Sequence, residues 1–494
     1  MTIYDELREK LAIGFVDQIL MFDGDGIAAK CDMRSVVIEA GYEFLIYTDP
    51  LAFRYYYELH LRNQMDQKIF VVVHDPQAYI PYDIRKAFYV VDINYASLFC
   101  NLDTAAIRDN NLSDMKLLYI AYQNHYGGKL SYKRTHHFVN NNLNELAIVN
   151  EYVSELMGDI RSLLMQEHSE DLWYRIASLW AIINHKLHAG LSDVDVEILA
   201  KEINTAFKYW MLEHYKGLSS NPISAGPVMM HRINDYIRTK SRKAVLLVID
   251  GMSMENWVSL KQSLQPITNM HENYVFALIP SITSISRKAM FSGKLPVHHE
   301  HLFSLSDEKK LWVAYWRDNG YATNDIFYGR GFDVEIPYNT RIAGIVINHV
   351  DDSMHGQVFG SEGMNLNVSL FANRGQLKQL IDRLTNEGFD IFLTADHGNI
   401  EAVGLGKIKT EGLNTESTSQ RARAYRDFAD TDKIRNMEGV FQYPGYYLPK
   451  DYTYFICEGN YAFADKGKII VCHGGMSLEE VIVPFIEIRG DKVE

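Results

Sequence analysis

Four stretches of the sequence carry aspartate, histidine and hydroxyl side chains at spacings that suit metal-assisted chemistry. They are VIDGMS (248–253), PSITSISRKAMFSG (280–293), VDDSMHG (350–356) with TADHGN (394–399), and CHGGMSLEEVIVP (472–484). Two divalent cations about 4 Å apart need Asp and His ligands from several strands. Hard carboxylates mixed with borderline imidazoles suit zinc, with manganese as the alternative. Asp250, Asp396 and His397 could hold one ion together with a nucleophile's oxygen, and Asp351, His355 and His473 the other. An alcohol such as that of Thr283 is unreactive at neutral pH, and coordination to a metal lowers its pKa. Ser284 and Ser286 are alternative nucleophiles, Asp352 could replace Asp351 if the strand end bulges, and His349 is a neighbour of that ligand set.

The elements that must position these residues read as strands of a parallel sheet. AVLLVID (244–250), GIVINHV (344–350), FDIFLTAD (389–396) and KIIVCH (468–473) are apolar runs, and QLKQLIDRLTNEG (376–388) has helical spacing. In open parallel sheets ligands bind at the carboxyl edge, where these aspartates and histidines fall. Each motif has a plainer reading as well. A strand-end Asp such as Asp250 also serves as a helix N-cap, and His298, His299 and His301 in VHHEH read as solvated surface.

Two further regions precede this α/β domain. Residues 1–135 alternate helical stretches with the apolar runs QILMFDG, EFLIYTD, IFVVVHD and FYVVDI, which predicts a small α/β, Rossmann-like domain. Its FDGDG (23–27) reads as a strand-end turn. Residues 136–235 contain amphipathic helices with Trp173, Trp180 and Trp210 in their apolar faces, then a Gly/Ser/Pro-rich linker at 217–227. The catalytic domain is expected over 236–494. Its 405–440 stretch carries Lys407, Lys409, Arg421, Arg423 and Arg426. Lys409, Arg421 and Arg423, with Arg287 one turn after Thr283, are candidate phosphate contacts. The tyrosine-rich runs 440–447 and 454–463 are candidates for a wall around a substrate substituent, or for packing.

Composition bounds the rest. A net charge of -14 rules out attraction of nucleic acid by the surface as a whole, so a polyanion would need a local basic patch. The four cysteines form no CxxC pair, and the N-terminus lacks an apolar signal region. With no apolar run long enough to span a bilayer, a cytoplasmic location without membrane contact is expected.

Taken in order, the four segments resemble the alkaline phosphatase superfamily. P-x-x-T with a Gly ten residues after the Thr is similar to the nucleophile segment of the nucleotide pyrophosphatase/phosphodiesterase branch. Asp351-x-x-x-His355 and Asp396-His397-Gly398 are similar to its metal pairs, and His473-Gly-Gly-x-Ser477-x-x-Glu480-x-x-x-Pro484 to its final metal histidine. More narrowly, PSITSISRKAMFSGKLP and HGGMSLEEVIVPF resemble the PglZ family, whose members occur in BREX-type phage-defence operons. The resemblance implies an alkaline phosphatase-like catalytic domain, zinc binding, and phosphatase or phosphodiesterase activity through a phosphothreonine at Thr283. The expected substrates are phosphate esters, nucleotides or oligonucleotides among them, and the expected partners are defence proteins. A sulfatase would need a C-x-P-x-R-like segment, which is absent. A phosphoglycerate mutase would use a serine and a large domain inserted between its metal motifs. A reading from another class is a scaffold that keeps its metals for structure.

Overall fold

Runs of consecutive apolar residues become strands covered on both faces, as a parallel sheet between helices requires. In the computed structural model, residues 2–62, 67–110, 112, 114–125, 127–264, 270–407, 419–426 and 431–490 are described. The strands are β1 (Gln18–Phe22), β2 (Glu43–Ile46), β3 (Ile69–Val73), β4 (Tyr89–Asp92), β5 (Ala244–Ile249), β6 (Met270–Phe276), β7 (Ile326–Arg330) and β8 (Ile342–Ile347), followed by β9 (Asp390–Thr394), β10 (Ile400–Gly404), β11 (Ala422–Arg426), β12 (Val440–Tyr443), β13 (Tyr452–Cys457), β14 (Tyr461–Ala462), β15 (Ile469–Cys472) and β16 (Ile482–Ile488).

The chain forms two compact units, one of residues 1–155 with 191–193, the other of 156–190 with 194–494. The first is built on a parallel sheet of order β2-β3-β1-β4. Its FDGDG segment is a strand-end turn. The Asp23 carboxylate accepts from the backbone N–H groups of Ile27 (2.6 Å) and Ala28 (3.0 Å). Asp25 is held by the Arg108 guanidinium at 2.7 Å.

The second unit contains a six-stranded sheet of order β6-β16-β9-β5-β8-β7. The four strands from β9 to β7 run parallel, and β16 lies antiparallel between β9 and β6. Strands β5, β8 and β16 are buried along their whole length. KIIVCH does not join this sheet. As β15 it pairs antiparallel with β10 in a small sheet, Ile400 opposite Cys472. The reason is local, because β10 starts three residues after His397, so the pairing folds the segment ending in His473 back over the Asp396–His397 loop. The 405–440 stretch contributes β11 to a third sheet, β11-β13-β12, rather than an irregular loop.

The helices Glu170–His188 and Glu197–Leu218 belong to this second unit. Trp173, Trp180 and Trp210 are buried. Trp180 Nε1 donates to Glu479 at 2.6 Å, Asn204 donates to the same carboxylate at 3.4 Å, and Leu478 N donates back to Asn204 at 3.0 Å. The helices therefore grip the short helix that follows the last histidine motif. Among the described residues no helix is long and apolar enough to cross a membrane.

Burial pushes the Glu479 carboxyl above its ordinary range, against the pull of its hydrogen bonds. A raised folded-state pKa favours folding below the unfolded value, and that contribution is lost as pH rises through the folded value. Glu479→Gln keeps an oxygen acceptor for Trp180 and does not titrate. Its melting temperature relative to the native chain should therefore climb as pH rises above about 4, the ordinary carboxylate pKa. Thermal unfolding as the pH is raised checks this, and a constant difference contradicts it.

Candidate active site

The carboxyl ends of β5 and β9 lie side by side, which brings Asp250 and the Asp396–His397 pair together. Two glycines allow the approach. Gly251 takes a positive φ of 72°, and its N–H donates to Asp396 Oδ1 at 3.1 Å. At Gly398 a Cβ would stand 1.9 Å from the Glu479 carbonyl oxygen, so only glycine fits.

Asp250 and Asp396 are buried, and a third buried group offsets their charge. Arg287, 1% exposed, donates through Nε to Asp396 Oδ2 at 3.1 Å and through Nη2 to Asp250 Oδ2, and lies 3.6 Å from Glu308 Oε1. It is thus neither a helix-surface residue nor a free phosphate clamp, because its guanidinium is committed to carboxylates. Burial and Asp396 push Asp250 well above the carboxylate range. For Asp396, burial acts in the same direction, but His397 and Arg287 outweigh it and hold that group low.

Thr283 is the first residue of the helix Thr283–Ser292. Its Oγ1 lies 2.9 Å from His397 Nε2. His397 Nδ1 faces the Gly398 carbonyl at 2.9 Å. A carbonyl only accepts, so Nδ1 carries the proton and the Nε2 lone pair faces Thr283. The rival hydroxyls are buried, Ser284 being 5% and Ser286 0% exposed.

His473 follows the same logic. Its Nδ1 donates to the Ser281 carbonyl at 2.9 Å, which leaves Nε2 toward Asp351 Oδ1 at 3.9 Å. The rings of His397 and His473 stack with centroids 3.8 Å apart. Burial and His397 push His473 down to about 4.

Strand β8 stops at Ile347, and Asp351 and His355 stand one turn apart on the helix His349–His355. His349 begins the same helix, and its ring packs on Phe371. His355 Nε2 lies 3.4 Å from Asp351 Oδ2, and this contact raises the pKa of the half-exposed His355. Burial would raise Asp351, but His355 and His473 hold it low.

Two groups therefore have the proximity that an ion needs, Asp250/Asp396/His397 and Asp351/His397/His473. The second contains His397 where the sequence pattern suggested His355, which lies one turn further out toward solvent. Asp250 Oδ1 and Asp351 Oδ1 are buried without a hydrogen-bond partner. Orphaned carboxylate oxygens beside imidazole lone pairs are a donor set suited to divalent cations.

A second buried carboxylate organises the surroundings. Glu480 accepts from Gly475 N (2.7 Å), Ser477 N (3.1 Å), Ser477 Oγ (2.8 Å), Ser281 Oγ (3.3 Å) and Arg421 Nε (3.1 Å). Ser281 Oγ in turn accepts from Gly474 N at 3.0 Å. Glu480 thereby ties the turn before Thr283 to the loop after His473. Arg421 is consumed in this role. It is 0% exposed and also donates to the carbonyls of Tyr461 and Gly459. Arg423 likewise turns inward, over the Phe463 ring and onto the Ala422 carbonyl. β11 is an edge strand paired with β13, and both guanidiniums are taken up by contacts within the domain. Lys409 lies outside the described residues. The tyrosine-rich runs also pack inward, with Tyr443, Tyr454, Phe455 and Phe463 buried and the Tyr446 and Tyr447 hydroxyls donating to carbonyls of the helix Glu197–Leu218. Sequence reasoning missed Ser281 and Glu308. The P-S-I-T spacing was a usable signal for Ser281. Nothing in SLSDEKK distinguishes Glu308 from a surface helix start.

Residues 228–488 match the family described as the BREX system PglZ alkaline phosphatase-like domain. Among solved structures, murine ectonucleotide pyrophosphatase/phosphodiesterase 5 is similar at a TM-score of 0.38 and 14% identity, over 49% of this chain and 87% of that one. Phosphonoacetate hydrolase from Sinorhizobium meliloti 1021, in complex with phosphonoformate, is similar at 0.35 and 12%, over 51% and 92%. No curated protein matches.

Breaking a buried ion pair by removing one partner costs about 3–5 kcal/mol. Arg421→Met should lower unfolding stability by that order, since Glu480 would keep its charge without a cation. Denaturant unfolding checks this. A loss confined to activity, with the stability intact, would return Arg421 to a substrate role.

Proposed function

Because the chain belongs to the PglZ family, whose alkaline phosphatase-like domain spans residues 228–488, we propose that it is a metal-dependent phosphoesterase using Thr283 as nucleophile. The observation that carries this reading is the 2.9 Å contact between Thr283 Oγ1 and His397 Nε2 beside the two Asp/His groups.

Asp250, Asp396 and His397, with Thr283, would hold one divalent ion. Asp351 and His473 would hold a second beside His397, with His355, 3.4 Å from Asp351, as the further ligand. Zinc fits these oxygen and nitrogen donors, and manganese is the alternative. Bound ions would supply Lewis acidity, lowering the pKa of the threonine hydroxyl and stabilising charge on the phosphoryl oxygens.

The steps assigned to the chain are these. Thr283 Oγ1 forms a bond to phosphorus while the bond to the ester's leaving oxygen breaks, giving a phosphothreonine. Water then attacks that phosphorus and restores the hydroxyl. The first turn of the helix Thr283–Ser292 directs backbone N–H groups and the positive end of its dipole at the phosphoryl oxygens. Arg287 keeps Asp250 and Asp396 in place, and Glu480 keeps the nucleophile turn against the His473 loop.

Charge favours diesters over monoesters. A monoester dianion needs a further cation, yet Arg287 and Arg421 are already paired with carboxylates. A diester monoanion needs less compensation. The family points to bacterial phage defence as the setting, with defence-system proteins as partners.

Metal analysis should return two divalent ions per chain. With zinc or manganese added, bis-nitrophenyl phosphate should turn over faster than nitrophenyl phosphate. Thr283→Ala should abolish both activities and keep most of the metal, while Thr283→Ser should retain part of the rate. A metal-loaded native chain that hydrolyses neither ester would support a scaffold role instead.

A further inference from the structure

Asn348 stands between the two Asp/His groups along the chain. It follows β8, whose last residue, Ile347, lies opposite Ile249 of β5, and Asp250 N donates to the Ile347 carbonyl at 2.9 Å. Three residues beyond Asn348 comes Asp351, and a Cβ at Gly251 would lie 3.6 Å from Asp351 Cβ. One end of this short stretch therefore borders Asp250, and the other carries Asp351.

The helix His349–His355 starts here, since Asp352 N donates to the Asn348 carbonyl at 2.9 Å. An asparagine in that place ordinarily accepts from N–H groups of the first turn, and an acid three residues later can close the turn reciprocally. Neither happens. Asn348 makes no side-chain cap. Asp351 faces His355 and His473 instead, and its Oδ1 has no hydrogen-bond partner. Both side chains are withdrawn from the helix.

The contact that Asn348 does make fixes which way round its amide stands. Arg287 Nη2 donates to Asn348 Oδ1 at 3.3 Å and also to Asp250 Oδ2. A guanidinium only donates, so the atom against it is the amide oxygen. Nδ2, with its two N–H donors, then points away from a guanidinium that is 1% exposed. Asn348 itself is half-buried, and among the described residues Nδ2 has no acceptor. It is a donor pair anchored from beneath and left open, one guanidinium nitrogen away from the Asp250 carboxylate.

We infer that Asn348 Nδ2 donates a hydrogen bond to a non-bridging phosphoryl oxygen of the bound ester, which makes Asn348 a substrate-binding residue. The inference rests on the phosphoesterase reading above. Arg287 follows Thr283 by one helical turn, so the group that orients the amide belongs to the same helix as the hydroxyl that would attack. The amide is neutral. It supports a phosphoryl oxygen without adding charge, which suits a diester monoanion at a site whose buried arginines are already paired. A donor oriented before the ester arrives needs little reorganisation when charge develops on that oxygen.

The test compares the full metal-loaded chain with an Asn348→Ser variant, whose side chain is too short to replace the amide. Calorimetric titration with inorganic phosphate reads binding without turnover. Phosphate affinity should fall about ten- to a hundredfold in the variant, the range for a lost hydrogen bond to a charged group. The value of kcat/KM for bis-nitrophenyl phosphate should fall by a similar factor. Metal content and melting temperature should stay at their native values, because Asn348 caps nothing and its contact to Arg287 is long. Equal phosphate affinity in the two chains, or binding by neither, overturns the inference. A variant that loses metal or melts early also overturns it, and makes Asn348 a support for Arg287 and its carboxylates. Native turnover with an unchanged kcat/KM in the variant removes the Asn348 contact alone. A native chain that binds phosphate but hydrolyses neither ester removes the phosphoesterase reading, and weaker phosphate binding by the variant would then still support the contact.

Discussion

Two carboxylates, Asp250 and Asp396, are buried side by side, and the rest of the site follows from what makes that tolerable. Like charges in a low-dielectric interior repel strongly, and an uncompensated buried carboxylate shifts its pKa rather than stay ionised. Arg287 supplies the compensation from the helix that begins at Thr283. The contact therefore also sets the helix, and with it the Thr283 hydroxyl, against His397. Glu308, buried behind Arg287, extends the network. A helix whose fourth residue past its start must reach two strand ends has little freedom in where its first residue sits.

A second constraint acts through the backbone. The loops at Gly398 and Gly474 pack closely enough that a Cβ would collide, and Glu480 ties the turn before Thr283 to the loop after His473 through five hydrogen bonds of its carboxylate. Both imidazoles are oriented by carbonyl oxygens at Nδ1, so their Nε2 lone pairs converge on the space beside Thr283. Such outer contacts fix tautomer and ring orientation in metal sites. Here they come from Ser281 and Gly398, residues with no charge of their own.

Three strands of the six-stranded sheet, β5, β8 and β9, were legible as continuous apolar runs, and their parallel pairing puts the aspartates that follow β5 and β9 on one edge. Asp250, Asp396 and His397 were readable for that reason, and Thr283 from the P-x-x-T spacing. Three features were not. The four-residue spacing of Asp351 and His355 belongs to a helix, yet the preceding apolar run masked where the strand stops. KIIVCH has the composition of a core strand, and nothing local says that it pairs with β10 instead. Arg287 and Arg421 look like phosphate ligands in a linear reading, because the carboxylates that claim them, at 250, 308, 396 and 480, lie far away in sequence. Charge pairing at long range is what a single sequence conveys least.

The central proposal is that Thr283 carries the transferred phosphoryl group, and trapping that species tests it most directly. The metal-loaded chain would be acid-quenched during turnover of a phosphodiester, digested, and analysed by mass spectrometry. The account predicts a modified peptide containing Thr283, with the mass increment of the phosphoryl ester and fragmentation that localises it to that residue. Turnover with no covalent adduct, or an adduct on Ser284 or Ser286, would contradict it.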